Sequence, residues 1–169
     1  MVNTRKLVEG SLLVALSVIL VRFCSIKISF FGVDGVRIGI GTLPIIFAGL
    51  RSGAWAGAKV GALADIIGYL IVPGGPYMPH FTLTTSLYGV LPPLLMGKKE
   101  RFSDLRLIMA VSITHFILSI LIVPYFLNLL FGIPFQFIVL PRIVSFLLNI
   151  FIINFVLLVL RRKVGVLTY

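Results

Sequence analysis

Apolar residues along this chain come in long blocks, and polar residues are confined to the short stretches between them. The first block runs from Leu7 to about Phe23, and the second, Ile38 to Leu50, is short and interrupted by Gly39, Gly41 and Pro44. The third covers Gly53 to Val72, the fourth Leu83 to Met96, the fifth Leu107 to about Phe131 and the sixth Phe137 to Leu160. About 20 helical residues cross a bilayer core. The pattern therefore predicts an all-α membrane protein of six transmembrane helices, with residues 1–169 forming one integral membrane domain. The glycines and proline of the second block predict an irregular helix, which membranes tolerate only where protein or a cavity covers the freed backbone. Residues 24–37 and PGGPYMPHFT at 73–82 predict loops by their glycine, proline and polar content.

Composition supports the membrane reading. Only 12% of residues are charged while 59% are hydrophobic, and mean hydropathy is +1.15. Soluble domains carry about 25% charged residues, so a soluble globular fold is excluded. The net charge of +10 raises the question of nucleic acid. Its cations are scattered singly or in twos and threes between apolar blocks, as topology signals are, and no phosphate-binding face forms.

Arg5, Lys6, Arg51, the Lys and Arg residues between Lys98 and Arg106, and Arg161, Arg162 and Lys163 fall on one side; Arg22, Lys27 and Arg37 fall on the other. The positive-inside rule then predicts both termini in the cytoplasm and a multi-pass protein of a prokaryotic plasma membrane, with loops 24–37, 73–82 and 132–136 outside. Arg5 and Lys6 before an apolar run imitate a signal peptide, but no small-x-small site ends that run, so a retained first helix is expected. The single cysteine, Cys24, rules out an internal disulfide framework and a cysteine metal cluster.

Within the spans one acidic residue stands out. Asp65 lies seven residues before the outer end of the third block, where an ionisable group is costly and is paired, faces a cavity, or both. Gly57, Gly61, Asp65 and Tyr69 recur every four residues, so one helix side carries small residues below the carboxylate and an aromatic above it. Two roles remain open for Asp65: accepting hydrogen bonds from a planar donor edge of a ligand, or pairing with Arg142, which enters the sixth span at a similar depth. Tyr69, Tyr77, His80, Phe81 and Thr82 cluster at the outer end of the third and fourth spans and complete the candidate ligand set with Arg22, Arg37 and Arg142.

Lys59 is expected to snorkel to the headgroups. His115, Asn149 and Asn154 are expected to make interhelical hydrogen bonds. Ser11 and Ala15 form a small-xxx-small pair on the first helix that suits close packing by a partner helix.

Catalytic motifs are absent: there is no GxxxxGK[ST], HExxH or GxSxG, no carboxylate pair for a metal-dependent phosphotransfer, and no metal site. The chain is expected to be no enzyme and to hold no cofactor of its own. If it moves a solute against a gradient, a partner supplies the energy.

RIGIGTLPI at 37–45, GALADIIG at 61–68 and PGGPYMPHFTL at 73–83 together resemble the S component of an energy-coupling factor vitamin importer, most closely the folate-specific branch. The resemblance implies six helices, high-affinity capture of a vitamin from outside, and reorientation in the membrane driven by a transmembrane coupling subunit and two ATPases that use ATP and Mg. It also implies that Ser11 and Ala15 contact the coupling subunit. Folate suits the residues: its pterin has a donor edge for Asp65, a flat ring for Tyr69, Tyr77 or Phe81, and an anionic tail for the outer cations. An S component for pantothenate, thiamine or riboflavin is the alternative within the class, and a structural subunit of a membrane complex is the alternative outside it.

Overall fold

The computed structural model describes residues 4–30, 33–73, 77–97 and 103–164, with the backbone alone for 27–30, 33–37 and 164. Helix α1 spans Thr4–Arg22; strands β1, Ile26–Phe30, and β2, Val33–Ile38, follow; then come α2, Leu43–Ser52, α3, Ala54–Ile71, and α4, Pro79–Met96. Helix α5, Asp104–His115, passes through a π-helical stretch, Phe116–Ile122, into α6, Val123–Phe131, and α7 covers Phe135–Val164. The elements from Asp104 to Phe131 form one continuous rod, so six helical rods are seen among the described residues. The wide turn ends just before Pro124, which offers no N–H and crowds the carbonyl four residues earlier.

The span bounds from the apolar blocks agree with α1, α3 and the two long C-terminal rods. Two expectations change. Residues 24–37, read as a loop, contain an antiparallel hairpin that pairs Ile26 with Ile38, Lys27 with Arg37 and Ile28 with Val36. The fourth helix also starts four residues earlier than its apolar block, because Pro79 fits the first turn, where its missing N–H costs nothing.

Short α2 is the centre of the bundle. Its Ile45 is 1% exposed and packs with Val14 and Val18 of α1 and Val60 and Ala64 of α3, while its Leu43 and Ile46 pack with Leu107, Val111, Ile153 and Leu157 of α5 and α7. Gly53 alone separates α2 from α3, at a φ of 92° that favours glycine. The irregular stretch predicted around Gly39 and Gly41 is the turn between β2 and α2. It is held from two sides: Ser17 of α1 donates to the Gly41 carbonyl at 2.8 Å, and the Gly39 N–H donates to Asn149 Oδ1 of α7 at 2.8 Å.

The outside of the bundle is apolar. Trp55, Leu70, Leu140 and Phe151 are each 70% or more exposed, and among the described residues three helices are long and apolar enough to cross a membrane: Ala54–Ile71, Asp104–Phe131 and Phe135–Lys163. Side chains that would drive aggregation in water suit lipid. Ion pairs among the described residues gather at the other extreme of the rods: Arg51 with Glu9 at 2.7 Å, and Arg161 and Arg162 with Asp104 at 2.6 and 3.3 Å. These cations all belong to the basic side counted in the sequence.

Candidate functional site

Opposite the ion-paired end, the four-residue stripe of α3 becomes a helix seam. A Cβ on Gly57 would run into the Gly89 carbonyl of α4, and one on Gly61 would come within 2.6 Å of the Thr85 carbonyl. The two backbones therefore touch, and the next stripe residue meets α4 one turn higher. There Asp65 Oδ2 accepts a hydrogen bond from Thr82 Oγ1 at 2.7 Å. Thr82 Oγ1 in turn lies 2.7 Å from the Tyr77 hydroxyl, which donates to it while Thr82 donates to the carboxylate. Above Asp65, the Tyr69 and Tyr77 rings meet at 5.2 Å between centroids. Gly57, Gly61 and Asp65 thus face α4 in succession, with Tyr69 on Tyr77 just before it, and the glycines at one end bring the carboxylate within reach of Thr82 at the other.

His80, expected in an exposed loop, is half-buried in the first turn of α4. Its ring stacks on Phe126 of α6 at 5.0 Å and lies 4.3 Å from Phe81. Its Nε2 is buried and has no hydrogen-bond partner among the described residues. Burial lowers its pKa from the ordinary imidazole value, and the charge of Asp65 partly opposes this. Phe81 itself packs against Val123, Leu127 and Ile138, which makes it part of the α6–α7 core as well as a wall of the site.

Arg22 closes the α1 side. The Nε–Nη2 edge of its guanidinium lies against Gly68 of α3, and among the described residues its buried Nε has no hydrogen-bond partner. Arg142 is half-buried on α7. Among the described residues Asp65 bonds Thr82 rather than Arg142, so the hydroxyl has the role proposed for an ion pair. The predicted contributions of Lys27, Phe30 and Arg37 fall on side chains outside the described residues, as do Phe31 and the glycines and second proline of PGGP.

The structure therefore brings together Asp65, Tyr69, Tyr77, Thr82, His80 and Phe81, with Arg22 of α1 against Gly68, three residues on from Asp65. Sequence reading missed Phe126, Ser17 and Gly68. Phe126 carries no local signal, being one of many aromatics in an apolar rod. Such an arrangement offers a fixed acceptor between flat aromatic walls, features for a planar ligand with a donor edge.

Away from the site, Ser11 and Ala15 are exposed on α1, bordering the buried face of Val14, Ser17 and Val18, and Ser11 Oγ donates to the Leu7 carbonyl of its own helix. Lys59 is exposed, as snorkelling requires. His115 is buried against the Tyr88 ring at 4.7 Å, and Asn154 donates to Ser112 of α5 at 3.3 Å.

Comparison with known proteins gives this geometry a context. The sequence model of the family described as ECF-type riboflavin transporter, S component, matches residues 1–164. The folate transporter FolT of Clostridium novyi (strain NT) is 29% identical over 120 residues, which are 71% of this chain and 66% of that protein, so the match spans slightly less than two thirds of the relative. A crystal structure of FolT bound with folic acid superposes with a TM-score of 0.80 at 23% identity, covering 96% of this chain and 95% of that one. The S component of a bacterial ECF transporter superposes with a TM-score of 0.70, also at 23% identity, over 96% of both chains. Because the family match runs through all six rods and the fold is shared end to end, the chain belongs to the family of ECF-type riboflavin transporter S components, which are membrane proteins.

Proposed function

We propose that the chain is the solute-capturing subunit of an energy-coupling factor importer and that its solute is folate. The observation that carries the choice is the Asp65 carboxylate. Thr82 engages Oδ2 and fixes the group's orientation, and among the described residues nothing bonds Oδ1. A pterin presents adjacent ring N–H and exocyclic amine donors, an edge suited to one carboxylate. Tyr69, Tyr77 and the His80–Phe126 stack supply flat walls, and Arg22 supplies a counter-charge for the glutamate tail. The folate transporter named among the relatives supports the same reading.

Riboflavin is the second reading, favoured by the name of the family whose model matches. Its ring offers one N–H between two carbonyls, and its tail is neutral, so Asp65 and Arg22 would have less to do. In the proposed mechanism the termini are cytoplasmic, the site opens outward, and Ser11 and Ala15 contact a transmembrane coupling subunit. Two partner ATPases use ATP and Mg to drive release, and this chain contributes binding alone.

Purified protein in detergent, heated with one vitamin at a time, tests the assignment. A ligand at about 100 times its Kd stabilises the folded state by about 2.7 kcal/mol. Folate is expected to raise the thermal midpoint and riboflavin to leave it unchanged. The reverse pattern would transfer the assignment to riboflavin, and no response to any vitamin would favour a structural subunit.

A further inference from the structure

Two hydrogen bonds of 2.7 Å join three oxygens in a row, Tyr77 Oη to Thr82 Oγ1 and Thr82 Oγ1 to Asp65 Oδ2. A carboxylate only accepts, so the one proton of the Thr82 hydroxyl goes to Oδ2. Thr82 then has none left for Tyr77, and the phenol donates to it. Both hydroxyl protons therefore point toward Asp65, and the row presents only lone pairs to anything that approaches it. Tyr77 is 41% exposed and its bond to Thr82 is exposed as well, so this end of the row is reachable.

A pterin amine carries two N–H bonds, and a carboxylate that takes the amine together with the adjacent ring N–H uses only one of them. The other needs an acceptor of its own. A hydroxyl oxygen takes its bonds at roughly tetrahedral angles, so two steps of 2.7 Å set Asp65 Oδ2 and Tyr77 Oη about 4.5 Å apart. The N–H bonds of a planar amine diverge by about 120° and reach acceptors about 5 Å apart at ordinary hydrogen-bond lengths. We propose that Tyr77 is a specificity-determining residue: with its proton committed to Thr82, its phenol oxygen extends the Asp65 acceptor and takes the second N–H of the vitamin's amine. This deepens the folate reading and rests on it. Riboflavin has carbonyls on both sides of its ring N–H, so the same row would set acceptor against acceptor.

Titration calorimetry on the purified protein with two probes, folate and folate carrying one methyl on its amine, tests this. The methylated probe keeps one N–H for Asp65 and puts a methyl where Tyr77 Oη accepts. The unaltered protein is expected to bind it about tenfold or more weakly than folate. Tyr77→Phe keeps the ring beside Tyr69 and removes the oxygen; it is expected to weaken folate by about fivefold and to bring the two probes close to equal affinity. Equal affinities in the unaltered protein, unchanged folate affinity in Tyr77→Phe, or a preference for folate undiminished in that variant would each overturn the proposal and leave the folate reading intact. Failure of the unaltered protein to bind folate would overturn that reading first. Should Tyr77→Phe not fold, the unaltered protein decides alone, and tolerance of the methyl would overturn the proposal.

Discussion

At Asp65 two demands meet. A carboxylate at membrane depth is costly, and one hydroxyl does not neutralise it. Asp65→Asn keeps an acceptor for Thr82 but removes the charge, so the unliganded protein is expected to be as stable as the parent or more so, while folate affinity falls by about tenfold or more. Calorimetry beside a melting curve reads both, and unchanged affinity would reassign Asp65 to structure. The hydroxyl makes the complementary prediction. Thr82→Val preserves shape but removes the bonds to Asp65 Oδ2 and the exposed Tyr77 hydroxyl, an expected loss of about 0.5–1.5 kcal/mol in stability. Thr82→Ser restores most of it. Equal stability of the valine variant would show that the chain of bonds through Thr82 contributes nothing.

Between elements, the α3–α4 seam decides whether those residues meet at all. A Cβ at Gly89 would strike the backbone of Gly57, which has no rotamer to give. Gly89→Ala is therefore expected to cost about 1–3 kcal/mol and to lower ligand affinity with it, since separating the helices here also separates Thr82 from Asp65. Gly10→Ala is the control: its nearest neighbour across the bundle is Val60 Cγ2 at 4.0 Å, and the better helix propensity predicts a gain of about 0.5–1 kcal/mol. A melting series that found the two variants alike would refute close packing at the seam.

The same seam shows why part of this fold was legible in the sequence. Four-residue spacing of Gly57, Gly61, Asp65 and Tyr69 is a local property of one helix, and it survives unchanged into the structure. The hairpin was lost for a different reason. Ile26, Ile28 and Phe30 alternate with Lys27 and Ser29 at the period of a strand, but five residues are a weak signal beside blocks of about 20, and Lys27 and Arg37 read equally well as charges at a membrane surface. Phe126 under His80 and Ser17 on the Gly41 carbonyl were out of reach, since each joins residues brought together only by packing.

Taken as a whole, the molecule is polarised. Glu9–Arg51 and Asp104–Arg161 mark one end, and Asp65, Tyr77 and Arg22 mark the other, so orientation in the membrane decides from which side a solute is captured. Cys24 stands two residues beyond the end of α1 on the site side, is exposed, and is the chain's only cysteine. If charge bias sets the topology as the positive-inside rule has it, a membrane-impermeant maleimide added to intact cells is expected to label Cys24. In a Cys24→Ser background, Ser103→Cys places a thiol at the ion-paired end, on the exposed residue that caps α5, and is expected to label only after the cells are opened. Reversed accessibility of the two thiols would put the carboxylate and its aromatic walls on the cytoplasmic side at rest, and capture from outside would then have to begin with the bundle already turned over.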